Sequence, residues 1–153
     1  MTKALLAVLV AAGVLGAGPC EGGGGTTGLV NGLVKGTWGG ENAGLIADDT
    51  SAHVHIACTY GWVHQGIDPN GGRFDVPGEY VLRAYPVAVG PSLPARFQGA
   101  VLGRLMTLSV VVTDTTAGRD STVTLGPVKL LFGREPKMQM CPICRRTSER
   151  QAM

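Results

Sequence analysis

The cysteines are the residues of this chain with the most definite chemistry. Cys58 lies in the middle of the sequence. Cys141 and Cys144 are the first and last residues of the motif Cys-Pro-Ile-Cys near its end. In an oxidising compartment, such residues are interpreted first as a disulfide framework. We therefore predict a disulfide between Cys58 and Cys141, with Cys144 as the alternative partner of Cys58 because it follows only three residues later.

The spacing of Cys141 and Cys144 also fits a thiol-redox pair or half of a zinc site. A redox pair of this type requires a βαβ setting and a helix N-terminus that lowers the pKa of the thiol, and a zinc ribbon requires a second cysteine pair. The sequence predicts neither of these surroundings. A thiol-redox protein that uses Cys141 and Cys144 is therefore the third of our functional hypotheses.

Three histidines form the second candidate group. His53 and His55 are two residues apart, so a β-strand would place both imidazoles on one face, and His64 could return nearby on the next strand. Three imidazoles can hold zinc or copper. The simpler interpretation is that His53 and His55 face outward while their neighbours face a core. We predict no cofactor, and keep a zinc or copper protein as the second hypothesis.

Other types of chemistry find no support in the sequence. No serine lies in a Gly-x-Ser-x-Gly elbow, and the glycine run 22–25 lacks the Lys-Ser/Thr ending of a phosphate loop. The formal net charge of +2 is far below the basic excess needed for phosphate neutralisation. We therefore predict no catalytic residues and no nucleic-acid partner.

Among the elements that must position these residues, the segment 95–112 is the best specified. Gly103-Arg104 separates two apolar-rich arms, and glycine at the first central position indicates a type II′ hairpin turn. In the second arm, every second side chain is apolar. This period of two predicts a strand with one face against a core. The alternating residues are Met106, Leu108, Val110 and Val112.

The composition extends this prediction to the whole domain. The chain contains 24 glycines and only 16% charged residues, which favours strands and turns over helices. We count about eight or nine short strands, each joined to the next by a turn. The predicted fold is all-β: an antiparallel up-and-down meander that closes into a small barrel, with a β-sandwich as the alternative. Trp38, which lies among glycines, is predicted to plug one end of the barrel.

The N-terminus has the features of an export signal. A short start with Lys3 precedes the apolar run 4–17, as in secretory signal peptides. Cys20 lies in a sequence similar to a lipoprotein lipobox, in which Pro19 replaces the usual small residue. Lipidation of Cys20 and cleavage to a soluble product therefore both stay open, and the Gly-rich tether that follows favours lipidation. The predicted destination is the periplasm, the cell surface or the extracellular space.

These features divide the chain into four parts. Residues 1–20 are the predicted signal peptide, 21–35 a Gly-rich tether, 36–141 the β-domain and 142–153 a polar tail. A lipid anchor is the predicted route to any membrane contact.

The β-domain also carries a spaced pattern of Gly, Trp, Cys and aromatic residues. The pattern consists of Gly-Thr-Trp-Gly-Gly at 36–40, Cys58, Gly-Arg-Phe at 72–74, Ala-Arg-Phe-Gln-Gly at 95–99, Met-Thr-Leu at 106–108 and Cys141. It resembles a group of small uncharacterised bacterial exported proteins. The resemblance implies export and the domain limits, but no catalytic residues. The predicted architecture is also similar to that of lipocalins and the avidin group.

The leading hypothesis combines these observations. We predict an exported, non-enzymatic β-domain that binds an unidentified small molecule or envelope protein, or that has a structural role in the cell envelope.

Overall fold

The computed structural model describes residues 28–83, 89–116 and 120–141. These residues form ten β-strands and no helix. The strands are β1 (Leu29–Val30), β2 (Leu33–Val34), β3 (Gly36–Gly40), β4 (Ala43–Ala47), β5 (Ala52–Ile56), β6 (Thr59–Val63), β7 (Arg73–Val81), β8 (Leu93–Leu102), β9 (Leu105–Asp114) and β10 (Ser121–Phe132). The described part of the chain accordingly contains no helix able to cross a bilayer.

Strands β3 to β10 form a closed antiparallel barrel in sequence order, and β10 pairs back onto β3. Each strand pairs with the strand that follows it in the chain. The predicted up-and-down barrel is therefore confirmed, and the sandwich alternative is wrong. Strands β1 and β2 form a separate small hairpin.

The hairpin formed by β8 and β9 agrees with the sequence prediction. Leu102 pairs with Leu105, so the loop contains only Gly103 and Arg104. Gly103 has φ +60° while Arg104 stays at negative φ, which is the type II′ pattern. The alternating apolar residues of β9 are fully buried, as predicted from their period of two.

Large side chains fill the interior of the barrel. Trp38, Tyr80 and Phe97 are fully buried, together with Leu, Met, Ile and Val side chains from the surrounding strands. The indole of Trp38 donates a hydrogen bond from Nε1 to the carbonyl of Lys35 at 3.1 Å, and its ring lies 5.3 Å from that of Phe132. The interior of this barrel is thus a packed core, as is usual for eight strands.

The segment 52–60 is not one continuous strand, although its alternation of apolar and polar residues is typical of one. It forms a hairpin in which Ala57 and Cys58 are the turn between β5 and β6. Ala57 has φ +52°, and its N–H donates a hydrogen bond to the carbonyl of Asn42 at 2.8 Å. Cys58 therefore lies in a turn at the end of the barrel and not on an inward strand face.

Two pairs of adjacent Gly and Pro residues, which usually interrupt strands, lie inside strands of this barrel. Pro77 and Gly78 do not separate two strands but lie within β7, in the part that pairs with β8 alone. A proline is tolerated there because one row of backbone positions has no partner strand. Likewise, Gly126 and Pro127 form an irregularity inside the single strand β10, where the pairing register with β9 shifts.

The folded unit begins earlier than position 36. Val34 is fully buried, and its N–H donates a hydrogen bond to the carbonyl of Ile67 at 2.9 Å. Gly28 lies directly against the Trp38 ring, where a Cβ atom would overlap the indole. Residues 28–35 are therefore part of the domain and not of a tether. The predicted signal peptide with Cys20, residues 21–27 of the predicted tether, Cys144 and the polar tail lie outside the described residues.

Candidate functional site

Cys58 and Cys141 are joined in a disulfide, which confirms the predicted pairing. The two residues are 83 positions apart in the sequence, and their Cα atoms are 5.5 Å apart. The bond fastens the end of the described chain to the β5–β6 turn. With its sulfur in this bond, Cys141 is not available as half of a reduced dithiol pair.

The segment 134–141 reaches this disulfide along the outside of the barrel. Lys137 donates its N–H to the carbonyl of Gly40 at 3.0 Å, and its own carbonyl accepts a hydrogen bond from the N–H of Asn42 at 2.9 Å. The carboxylate of Glu41 pairs with Arg134 at 3.1 Å and with Lys137 at 3.4 Å. The segment is thus held on the β3–β4 turn by backbone and charge contacts before it reaches the disulfide.

Four ring side chains meet on the outer face of the β5–β6 hairpin. We call His53, His55, Tyr60 and Trp62 the ring cluster. The strand register places His53 opposite Trp62 and His55 opposite Tyr60. His53 stacks on Trp62 with a centroid distance of 5.3 Å and an interplanar angle of 10°, while Tyr60 meets Trp62 edge-on at 4.9 Å. All four residues are half-buried, because they pack against each other as well as facing solvent.

An apolar pocket of about 160 Å³ adjoins the ring cluster on the side of β4. Its walls include Ile46 and Met138, whose exposed fractions are 58% and 41%. Pro136 forms another wall, over Gly44, where a Cβ atom would overlap the proline ring. The segment 134–141 thus builds one side of an apolar surface that continues into the ring cluster.

The other side of the ring cluster is polar. Glu79 of β7 is the cross-strand neighbour of Trp62. Its carboxylate accepts a hydrogen bond from Ser92 Oγ at 2.9 Å and lies 3.9 Å from Nε2 of His64. The rings therefore separate an acidic edge from an apolar one.

The two clustered histidines are biased toward their neutral form. Burial lowers the pKa of His53, and the neighbouring charge of His55 lowers it further. Burial also lowers the pKa of His55. Nε2 of His53 is shielded from solvent and has no hydrogen-bond partner among the described residues. Near neutral pH, both imidazoles of the ring cluster are thus uncharged.

The predicted three-histidine metal site is not assembled. Among residues 28–83, 89–116 and 120–141, no three side chains of His, Cys, Asp or Glu are arranged to hold a metal ion. His53 and His55 are adjacent, with ring centroids 4.7 Å apart, but the β5–β6 register places Tyr60 and Trp62 beside them. His64 follows the end of β6 and lies near Glu79 instead.

Sequence reasoning did not place Tyr60 and Trp62 beside His53 and His55. Their positions follow from the turn at Ala57 and Cys58, because that turn folds β6 back beside His53 and His55. A signal is present in the sequence, since Tyr60, Trp62 and His64 are spaced two residues apart.

Searches against protein-family models, curated proteins and solved structures returned no match for this chain.

The lowered histidine pKa values predict a pH-dependent stability. An unfolded histidine binds a proton near pH 6.5, whereas folded His53 and His55 bind one only at lower pH. Between these pH values the unfolded state carries more protons than the folded state. The contribution of the two histidines to the free energy of unfolding is therefore complete above about pH 6.5 and decreases as the pH falls below that value. Urea unfolding at pH 7.5 and 5.5 measures this decrease.

The double variant His53→Gln/His55→Gln should show a smaller decrease than the wild type. His64→Gln is the matched control for the removal of an imidazole, because His64 lies outside the cluster. An equal decrease in the wild type and the double variant would contradict the assignment of this pH dependence to the ring cluster.

Proposed function

We propose that this protein is an exported, non-enzymatic binding domain that engages a protein partner of the cell envelope through the ring cluster and the adjoining apolar pocket. The packed interior of the barrel supports a binding site on its outer surface. Because Trp38, Tyr80 and Phe97 fill the interior, ligand recognition falls to the outer surface.

The observation that carries the proposal is the joining of the ring cluster to an exposed apolar patch. Outward positions of a solvated barrel are normally polar, yet Trp62 and Tyr60 lie here beside two neutral imidazoles. Ile46 and Met138 extend this surface with exposed apolar side chains. Protein interfaces are enriched in Trp, Tyr and Met at their centres and depleted of charge, so this composition fits a partner protein.

Export is supported by the signal-like N-terminus and by the disulfide. Disulfides persist in oxidising compartments outside the cytosol, and this one holds a wall of the apolar pocket in place. Whether Cys20 is lipidated or the protein is released in soluble form, the domain reaches the compartment of an envelope partner.

The two alternative functions have weaker support. A metal protein would need a third ligand beside His53 and His55, and His64 is near Glu79 instead. A thiol-redox protein would need Cys141 released from Cys58.

Site-specific photo-crosslinking in the producing cells tests the proposal. A photo-reactive amino acid replaces Ile46 in one variant and Arg96, on the opposite wall of the barrel, in a matched control. We expect a covalent protein adduct from position 46 and none from position 96. Adding Trp62→Thr to the first variant should reduce adduct yield about tenfold or more, because a central aromatic residue of an interface contributes on the order of 2 kcal/mol or more.

Two results would overturn the proposal. One is the absence of an adduct at position 46, and the other is an adduct that forms equally at both positions or is unaffected by Trp62→Thr. Circular dichroism of each purified variant verifies that the barrel is intact.

A further inference from the structure

The barrel closes through a short seam. Strand β10 is 12 residues long, and β9 pairs with it along most of its length. On its other side, β3 pairs only with Leu131 and Phe132. The reason lies in β3, which ends at Gly40 where the chain turns into β4. Within the described residues, the stretch 121–129 therefore has a strand partner on one side only.

Unpaired strand edges attract other strands, and proteins usually protect them with proline or with charged side chains. The later half of this edge has such protection in Pro127 and Lys129. The earlier half, residues 121–125, has the sequence Ser-Thr-Val-Thr-Leu, which contains no charge and no proline. Its residues favour strands, so it is a suitable template for strand addition.

The side chains of this edge alternate. Val123 and Leu125 are half-buried and pack against the core, whereas Thr122 and Thr124 are exposed on the outer face. An added strand must reproduce this alternation, with apolar residues on the inner face and polar residues on the outer face. The edge itself carries the required pattern.

We infer that residues 121–125 of β10 form a dimer interface with a second copy of this chain by antiparallel strand pairing. A twofold axis at Val123 places it opposite the same residue of the second copy, so that two half-buried valines cover each other. The same axis places Thr122 opposite the second copy's Thr124, and Thr124 opposite the second copy's Thr122. Val-Val and Thr-Thr pairs stabilise neighbouring strands, and this register brings no two charged residues opposite each other. The two strands form an isologous contact, as closed dimers require.

This dimer leaves the ring cluster accessible. In the circular order of the barrel, β10 is four strands away from β6 in either direction, so the two lie on opposite walls. The inference therefore goes beyond the proposed function and does not depend on it.

Sedimentation velocity of the oxidised, exported chain over a range of concentrations tests the inference. We expect the wild type to shift from monomer to dimer as its concentration rises. In Thr122→Asp/Thr124→Asp, two pairs of like charges are directly opposed across the axis, and the dissociation constant should rise about tenfold. Both positions are exposed, so the fold is retained.

The charge-swap variant Thr122→Lys/Thr124→Asp is the matched control. The proposed register now places each lysine opposite an aspartate, so dimerisation should return to the wild-type level or exceed it. A wild type that stays monomeric at millimolar concentration would overturn the inference. Equal weakening in both double variants would overturn the register and the interface with it. Trp62→Thr, which probes the proposed function, should leave the dimer unchanged.

Discussion

Replacing Cys141 by serine is expected to lower the free energy of unfolding by about 4–5 kcal/mol. The disulfide to Cys58 closes a loop across 83 sequence positions, and in the chain-entropy model a loop of that length restricts the unfolded chain by roughly this amount. The variant also releases the segment 134–141 from the β5–β6 turn, which should expose Gly44 under Pro136. Urea unfolding without reductant measures the loss.

Cys144→Ser is the matched control for this experiment. Because Cys58 pairs with Cys141, removal of the thiol at position 144 should leave the unfolding midpoint of the oxidised protein unchanged. The opposite result, a large loss for Cys144→Ser and little for Cys141→Ser, would assign the bridge to Cys144. Cys58→Ser should match Cys141→Ser, since both remove the same bond.

Replacing Trp38 by alanine is expected to lower the free energy of unfolding by about 3–5 kcal/mol, the usual cost of removing a large aromatic side chain from a core. Trp38 is fully buried and contacts the ring of Phe132 and the backbone of Gly28. Its loss would leave a cavity at the end of the barrel and remove the hydrogen bond to Lys35. Thermal and urea unfolding both report this change.

The chain provides its own control because it contains two tryptophans. Trp62 is half-buried on the outer face, so Trp62→Ala should cost much less stability than Trp38→Ala. Fluorescence separates the two sites. The protein that retains only Trp38 should emit at shorter wavelength than the protein that retains only Trp62. Equal stability losses, or the reverse order of emission, would contradict the assignment of Trp38 to the core and of Trp62 to the outer face.

The parts of the fold that were predictable are those with local signals. Gly103 marks a type II′ turn, and the period of two in β9 identifies its inward face, so this hairpin follows from a few residues. The hairpin of β1 and β2 has an equally local signal, because Asn31-Gly32 favours a type I′ turn and both residues have positive φ. Its assignment to a tether missed this signal.

The turn at Ala57 and Cys58 was not predictable in the same way. Alanine rarely adopts positive φ, and no Gly, Pro or Asn marks the position. The turn is held by a contact distant in sequence, the hydrogen bond from the Ala57 N–H to the Asn42 carbonyl. A tertiary contact of this kind leaves no local pattern, and alternation alone would continue the strand through the turn.

The candidate site divides in the same way. The disulfide could be predicted from the number and position of cysteines and from the expected compartment. The outward direction of His53 and His55 followed from alternation. Their contacts with Tyr60 and Trp62 depend on the β5–β6 register, which a single turn sets, and the apolar pocket depends on the path of residues 134–141.

The bond between Cys58 and Cys141 also determines what happens when the backbone is cut. Any single cleavage between these two residues, an interval that contains β6 to β10, leaves the fragments joined by a covalent bond. The separated pieces cannot diffuse apart, so their strands stay at high local concentration and can pair again. In an environment rich in proteases, a nicked molecule would thus survive as one unit until the disulfide is reduced.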